Sequence, residues 1–328
     1  MNNKILITGI SGLIGSHIAK KINDYDIYGV DIDRNYLKFS KKNINNNLLL
    51  KYQEYRFKNL KNVKEILYVD IRNQFEILKI IQTIRPSVIL HLAALPLANL
   101  SFNLTQEAYS SIFNSTYNLL ECIRMVNNKI KFIYTSSSMV YGNFLNNKID
   151  ESHITEPISA YGSAKLAGEI LVKGFAQSFG IKSLIIRPSA VYGPSDINQR
   201  VVQNFVNKAL VGEKISINDK DLVLDFTFVE DLVQGFIRSI EYCSIMKKKY
   251  DIFNITSADP RSLFELFEIL KTHYPKLKYQ LLPREKNVPT RGGLNTAKAE
   301  KTIGYKPKFT LEKGLAKYIS IEKKIRNL

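Results

Sequence analysis

The sequence predicts an α/β protein, a doubly wound parallel sheet of Rossmann type with a smaller α/β lobe toward its C-terminal end. Three observations carry that prediction. An apolar run at residues 4–8 leads into Gly9, Gly12 and Gly15 and then into a helical pattern. Short apolar runs then alternate with helix-period segments as far as Arg187, as expected for parallel strands joined by crossover helices. Beyond Arg187, further helical segments and a few short strands supply a second lobe. The 328 residues suit about two such units.

The opening is the most specific element. Gly9 permits a tight turn, Gly12 lets the backbone approach a pyrophosphate, and Gly15 lets the helix at 16–22 lie close on the strand. With Leu13 and Ile14 they form a helix start whose unpaired N–H groups suit an anion. The second strand, 27–30, ends in Asp31, near the spacing of about 20 residues at which a carboxylate meets a ribose. Such a carboxylate accepts from the adenosine 2′-hydroxyl and repels a 2′-phosphate, which favours NAD over NADP. Arg34 is the nearby group that would favour the phosphate.

Strands follow at 66–69, 88–92 and 132–135, with helices at 75–84 and through 104–126. Ligands of such sheets lie beyond the carboxyl ends of the strands, so Asp70, Ala93 and Ser137 should gather at one edge. Later come helices at 201–211, 228–240, 263–272 and 311–324, short strands at 215–217 and 279–282, and a last sheet strand at 253–256. The expected division is a dinucleotide-binding domain over 1–187, its sheet completed by about 223–257. A substrate lobe is expected from 188–222 and 258–328, with the ligand in the cleft between the two.

Composition removes several classes. Lys+Arg at 47 against Asp+Glu at 30 give a formal charge of +17, which invites a nucleic-acid reading. The lysines are spread along the chain, including 41–47, which reads as loop. The one tight cluster, Lys247-Lys248-Lys249, reads as a solvated helix end. The charge therefore points to solubility and anionic small molecules, with no nucleic-acid partner. No apolar run reaches the ~18 residues of a membrane helix, and no secretory signal precedes the first strand. Cys122 and Cys243 make neither a disulfide framework nor a four-cysteine site, so no metal is expected. A soluble cytoplasmic protein is the expectation.

The chemistry centres on two segments. Ser136-Ser137-Ser138-Met139 follows the strand at 132–135, and Tyr161 and Lys165 open a helix running to about 179. Four residues apart, they share a helix face. A lysine ammonium near the phenol, like the positive ring of an oxidised nicotinamide, favours the phenolate. Lowering a tyrosine from about 10 to about 7 is worth ~4 kcal/mol and yields a base for a sugar hydroxyl at neutral pH. Alone, Tyr-x-x-x-Lys is a common accident. Its position, after a serine-rich strand end in a dinucleotide fold, gives it meaning.

With these residues assembled, the chain resembles the extended short-chain dehydrogenase/reductase superfamily over nearly its whole length. Within it the resemblance is to the NAD-dependent sugar-nucleotide epimerases and dehydratases, nearest to the nucleotide-sugar 4-epimerases. It is carried by Thr8-Gly9-x-x-Gly12-x-x-Gly15, Asp70-Ile71, His91-Leu92-Ala93-Ala94, Ser136 to Gly142 and Tyr161-x-x-x-Lys165. Arg187 to Pro194, Asp225 to Asp231, and Lys306-Pro307 with Leu311-Glu312-Lys313-Gly314 complete it. The resemblance implies Tyr161 as base, Lys165 tuning it and holding the nicotinamide ribose, and Ser137 bonding the reacting oxygen. It implies that Asp70 and Ile71 flank the adenine and that Leu92, Ala93 and Ala94 line the pyrophosphate and ribose. Pro188 and Ser189 would face the nicotinamide.

Departures from the family pattern narrow the reading. Dehydratase relatives carry an Asp-Glu pair directly after the catalytic hydroxyl; here Ser138 and Met139 stand there, and neither serves as acid or base near neutral pH. Ala190 and Leu224 replace the frequent Asn and Arg that touch the substrate diphosphate, which leaves Arg200 and Arg291 as candidates. The alternative reading of Arg291, beside Gly292-Gly293, is a solvated loop residue. Ile112 stands where a cofactor-contacting Asn is common. Residues 48–63 are similar to an insertion of uronic-acid and N-acetylhexosamine 4-epimerases, or else form a plain surface helix. Leu95, Pro96 and Leu97 are expected to shape the sugar pocket with Ser138 and Met139. The helices near 104–126 and 161–179 resemble a pair that forms dimers in relatives, which implies a homodimer.

The expectation is thus an NAD-dependent epimerase acting on a nucleoside-diphosphate sugar, at C4 through a transient 4-keto sugar. The alternatives are a reductase, dehydrogenase or dehydratase of the same superfamily. A non-catalytic dinucleotide-binding protein is disfavoured by Ser137, Tyr161 and Lys165 together.

Overall fold

The computed structural model describes residues 3–32, 46–95, 101, 104–284 and 288–328. Its first strands are β1 (Lys4–Thr8), β2 (Asp26–Asp31), β3 (Val63–Tyr68), β4 (Val88–His91), β5 (Lys131–Thr135), β6 (Lys148–Ile149) and β7 (Ser183–Pro188). They are followed by β8 (Ile215–Asn218), β9 (Val223–Asp225), β10 (Tyr250–Ile255), β11 (Pro260–Ser262), β12 (Tyr279–Leu282) and β13 (Gly293–Leu294). Arg34, Pro96, Leu97 and residues 41–45 lie outside the described residues, while 46 and 47 begin a helix.

Seven strands form the central sheet in the order β10-β7-β5-β4-β1-β2-β3, with every pairing parallel. The chain builds outward from β1 through β2 to β3, then returns to place β4 on the other side of β1. The reversal leaves a crevice between the carboxyl ends of β1 and β4, where sheets of this kind take ligands. Both faces of the sheet are covered by helices. That is why β4 and β7 are buried along their whole length and read as continuous apolar runs rather than alternating ones.

Several elements differ from expectation for identifiable reasons. The first helix starts at Leu13 rather than 16 and runs to Lys21, so Gly15 lies inside it. The stretch through 104–126 is not one regular helix. Thr105–Tyr109 and Ser115–Val126 are joined by a π-helical turn at Ser110–Asn114. The Ser115 and Thr116 hydroxyls there donate to the carbonyls of Ser111 and Ile112 (2.7 and 2.6 Å), as hydroxyl residues do where a helix loosens. Of the span 223–257, only β10 completes the central sheet, because β9 pairs antiparallel with β11 in the smaller lobe. Parallel β8 and β12 form a second small pair. The helix Ala297–Ile303 was not foreseen; it closes on Gly304 in the left-handed region.

Two connections matter for the site. The parallel pair β6–β13 brings the segment around residue 291 back to the end of β5. The helix Asn46–Phe57 is no plain surface helix, for Tyr52 and Arg56 are only 1% and 2% exposed. Lys248 pairs with Asp251, and Lys249 donates to the Gln177 carbonyl, so these two lysines clamp the edge strand. Among the described residues no helix is long and apolar enough to cross a membrane, and no His/Cys/Asp/Glu group could hold a metal ion.

Candidate active site

The glycine turn is built by close packing. Gly9 has φ +74°, and a Cβ on it would meet the Ala93 amide nitrogen at 2.8 Å. A Cβ on Gly15 would meet the Gly9 carbonyl oxygen at 2.4 Å. The helix that follows begins at Gly12 with no side-chain cap and no acidic residue in its first turn. Its opening N–H groups, around Leu13 and Ile14, and its dipole suit a pyrophosphate.

Asp31 ends β2 with its carboxylate buried. Oδ2 accepts from the Ser11 N–H and Oδ1 from the Ile32 N–H, each at 2.9 Å. Burial raises its pKa, and those two amides act in the opposite direction. Each oxygen keeps a lone pair for a ribose hydroxyl. The residues fit a dinucleotide at this edge: an uncapped helix start, a turn too tight for any side chain, and an acceptor on the neighbouring strand.

On the β4 side, Thr8 Oγ1 bonds His91 Nδ1 (2.8 Å) and accepts from the Ala93 N–H (3.3 Å). Leu92 donates to the Thr8 carbonyl at 3.1 Å, so Leu92, Ala93 and Ala94 border the turn. Burial, with the Lys165 charge, pushes His91 down to about 3, so this ring is a neutral brace. The Asp70 carboxylate, by contrast, is held by Arg72 in a two-pronged ion pair, and Arg72 also binds Glu107. Burial would raise the Asp70 pKa, but the Arg72 hydrogen bonds and charge hold it below the usual carboxylate range. Ile71 beside it is buried.

Ser137, Tyr161 and Lys165 come together past β5. Ser137 caps the short turn Ser138–Tyr141, its Oγ accepting from the Met139 N–H at 3.1 Å. Ser159 caps the helix Ala160–Phe179, which carries Tyr161 and Lys165 in its first turns. The Tyr161 N–H donates to Ser101 Oγ (3.2 Å). Lys165 Nζ lies 5.8 Å from the Tyr161 ring centre and donates to the Thr135 carbonyl at 2.7 Å.

The expected electrostatics need correction here. Burial holds the Tyr161 phenol above its ordinary value, and the charge acting to lower it is that of Arg200, together with the Ser137 side chain. Lys165 is itself pushed down to about 7 by burial, partly offset by Glu169. The ammonium faces a backbone carbonyl rather than the phenolic oxygen, so it does not produce the expected depression.

The two arginine candidates are in different places. Arg200 precedes the helix Val201–Val211, donating to the Val191 carbonyl (3.4 Å) with Asp196 3.9 Å away. Arg291 is no solvated loop residue. Its Nη2 donates to Ser138 Oγ (2.5 Å) and Ser189 Oγ (2.9 Å), and Nη1 to Met139 Sδ (3.1 Å). Ser189 follows Pro188 at the end of β7 and is buried. Arg291 thus ties the ends of β5 and β7 together.

Sequence reasoning missed three supports. Glu169, one helical turn after Lys165, accepts from Ser136 Oγ (2.6 Å) and takes both prongs of buried Arg187 (2.8 and 2.6 Å). Its i,i+4 spacing from Lys165 was the available signal. Arg56 reaches from the helix Asn46–Phe57 to the Ser11 carbonyl (3.0 Å) and Ser195 Oγ (3.2 Å), bracing the glycine turn from outside. Glu322 joins that brace from the last helix, Leu311–Arg326, accepting from Tyr52, the Ser195 N–H and Arg326. Neither had a local sequence signal.

Comparison with known proteins agrees with this geometry. A model of the family described as GDP-mannose 4,6 dehydratase matches residues 6–318. A putative UDP-glucose 4-epimerase of Methanocaldococcus jannaschii is 30% identical, across 96% of this chain and 97% of the relative. UDP-glucuronate 4-epimerase 1 of Arabidopsis thaliana is 28% identical over 96% of this chain and 75% of its own. Among solved structures, UDP-glucuronic acid 4-epimerase from Bacillus cereus, in complex with UDP-glucuronic acid and NAD, superimposes with a TM-score of 0.84 at 25% identity, covering 98% and 99% of the two chains. The chain belongs to the GDP-mannose 4,6 dehydratase family, within the NAD-dependent sugar-nucleotide epimerases and dehydratases of the extended short-chain dehydrogenase/reductase type.

Proposed function

We propose that the protein is an NAD-dependent epimerase acting at C4 of a nucleoside-diphosphate hexose. The observation that carries the reading is the convergence of Ser137, Tyr161 and Lys165 at the carboxyl edge of the sheet, beside the glycine turn and Asp31. Asp31 would hold the adenosine ribose, the turn at Gly9–Gly15 the pyrophosphate, and Lys165 the nicotinamide ribose. Bound NAD supplies the hydride acceptor in one half-reaction and the donor in the other.

The chain's own residues handle the proton. Tyr161 takes it from the C4 hydroxyl as the 4-keto sugar forms, and gives it back once the ring has presented its other face. Ser137 Oγ bonds the same sugar oxygen. Exclusion of water from this edge would keep the keto sugar from escaping. The relatives named as UDP-glucuronate and UDP-glucose 4-epimerases support this reaction class. A dehydratase reading takes support from the family's description. Against it stands the occupation of the acid and base positions by Ser138 and Met139, whose side chains serve Arg291.

We also propose a homodimer acting in the cytoplasm. Tyr109, Tyr117 and Met125 on one helical run, and Ile170 and Phe179 on the helix Ala160–Phe179, leave large apolar side chains exposed. Cys122 and Cys243 are free, consistent with a reducing compartment. Light scattering on the purified protein tests the dimer, and a monomer at micromolar concentration rejects it.

The test of the activity is chromatography with mass spectrometry after incubation with NAD and a panel of UDP-, GDP-, dTDP- and CDP-sugars. An isobaric product of new retention time without net NADH is expected, and Tyr161→Phe should lower its rate by about 10²–10⁴-fold while NAD still binds. Loss of water, or of two hydrogens, would replace the epimerase by a dehydratase or dehydrogenase.

A further inference from the structure

Ser11, between the first two glycines of the turn, is held from both sides. Its N–H donates to Asp31 Oδ2 (2.9 Å), and its carbonyl accepts from Arg56 Nη1 (3.0 Å). The N–H that shares a peptide unit with that carbonyl, on Gly12, donates to the Gly9 carbonyl (3.1 Å). Both ends of the Ser11–Gly12 peptide are therefore committed. Gly12 opens the first helix with no side-chain cap, and glycine imposes little conformational preference of its own. The orientation of this peptide is thus set from outside the turn. With its oxygen on Arg56, the Ser11 carbonyl is committed to the helix Asn46–Phe57. Turned instead to the start of the first helix, its negative end would oppose an anion approaching the N–H groups of Leu13 and Ile14.

Arg56 is itself firmly placed. It is buried, and its Nε and Nη2 donate to Ser195 Oγ (3.2 Å) and to the Ser195 carbonyl. Glu322, buried on the last helix, accepts from the Ser195 N–H (3.2 Å) and from the Tyr52 hydroxyl, one turn before Arg56. One guanidinium thus joins the glycine turn to the segment after β7. One carboxylate ties that segment, and the helix bearing Arg56, to the end of the chain. The rigid fork of an arginine suits the task, because it serves two backbone carbonyls in fixed directions. The tie ends on the one peptide whose orientation an anion at the helix start would feel.

We propose that Arg56 is a positioning residue for the cofactor: it holds the Ser11–Gly12 peptide in the orientation that receives the pyrophosphate, and so sets how tightly NAD is retained. It acts through Ser11, from a helix outside the glycine turn. The proposal rests on NAD as the cofactor and not on the outcome of the reaction.

The experiment is calorimetric titration of NAD into protein freed of nucleotide, alongside denaturant unfolding without NAD. The proteins are the wild type, Arg56→Met, Arg56→Lys and Leu49→Ala. Leu49 packs from the same helix against the Tyr52–Ile197 cluster, so its variant reports what a loosened helix does by itself. Loss of the receptive orientation in about nine-tenths or more of the molecules would weaken apparent affinity about 10- to 100-fold, the effect expected of Arg56→Met. Arg56→Lys keeps the charge but reaches one carbonyl at a time, so it should recover part of that loss. Leu49→Ala should lower the unfolding midpoint and leave the NAD Kd within about threefold. An Arg56→Met Kd within about twofold of the wild type overturns the proposal. So does a weakening that tracks lost stability equally in Leu49→Ala and Arg56→Met, which would mark Arg56 as a structural tie alone. If Arg56→Met does not fold, Arg56→Lys decides: weaker NAD binding than in Leu49→Ala upholds the proposal, and equal or tighter binding overturns it. A wild type that binds no NAD overturns the cofactor assignment and this proposal with it. One that binds NAD but forms no C4 epimer rejects the epimerase and leaves the comparison of variants to decide the role of Arg56.

Discussion

The cofactor edge and the sugar edge of this site are built by different means. Around the glycine turn the groups offered to a ligand are backbone N–H groups and one carboxylate, and they come from the neighbouring strands β1, β2 and β4, all within the first third of the chain. At the sugar edge the groups are side chains from far apart, with Arg291 reaching back about 150 residues to Ser138. Backbone construction is set by local sterics and tolerates little variation. Side-chain construction depends on buried partners that hold each group in place, so it can be altered without touching the fold.

The largest way to break the second kind is Glu169→Gln. Arg187 would then be left in the interior without its counter-charge, and Ser136 would lose an ionised acceptor. Removing one partner of a buried pair costs about 3–5 kcal/mol. Denaturant unfolding should show that loss, and a change below about 1 kcal/mol would mean that the pair is not what fixes the helix bearing Tyr161 and Lys165 to β5 and β7.

The corresponding break on the cofactor edge is Gly15→Ala. The added Cβ would press on the Gly9 carbonyl and on Ile10 backbone atoms at 2.4–2.9 Å, none of which belongs to a movable side chain. Overpacking of this kind costs about 1–3 kcal/mol. NAD should cease to stabilise the variant in a thermal-shift assay, because the helix start has been displaced from the turn. Retained NAD stabilisation would show that the turn has more room than its packing implies.

That difference in construction is also the difference in what could be read. Gly9, Gly12, Gly15 and Asp31 were legible because a tight turn and a ribose acceptor demand particular residues at particular spacings. The strand ends bearing Ser137 and Pro188 were legible because covered parallel strands are apolar throughout. Arg291 was visible only as an arginine beside two glycines, since nothing local says that β6–β13 pairing will carry it to Ser138. Arg56 was hidden in the same way, in a segment whose weak periodicity suggested a surface helix. The π-helical turn at Ser110–Asn114 was invisible because its hydroxyl-to-carbonyl bonds leave the apolar spacing nearly helical.

Lys165 sits at the seam of the two edges and gives the comparison a pH signature. Its folded pKa of about 7 lies below the ordinary 10.5, so between those values the unfolded chain binds the proton that the folded chain releases. Stability should therefore rise with pH between about 7 and 10.5, by at most ~1.4 kcal/mol per unit from this group, and be unaffected by it below about 7, where both states hold the proton. Unfolding at pH 7 and pH 9 should show that slope in the wild type and a flatter one in Lys165→Met. An equal slope in both would mean that the lysine is charged in the fold throughout, held by Glu169 and the Thr135 carbonyl.

The smallest expected effect sharpens the comparison from the sugar edge, at Ala190. This residue has φ +35°, in the region that L residues with a Cβ avoid and that Asn tolerates better, and its carbonyl accepts from the Thr227 N–H at 3.3 Å. Here the sugar edge carries a backbone constraint of the kind the glycines meet on the cofactor edge, but with a residue that does not suit it. Ala190→Asn should stabilise the fold by up to ~1 kcal/mol, since it eases a left-handed position at a residue that is only partly buried against the core. The shift should appear in the denaturation midpoint with no ligand added. If Asn instead changes only the affinity for sugar nucleotides, the side chain acts through the diphosphate, and the strain at this strand end is too small to matter.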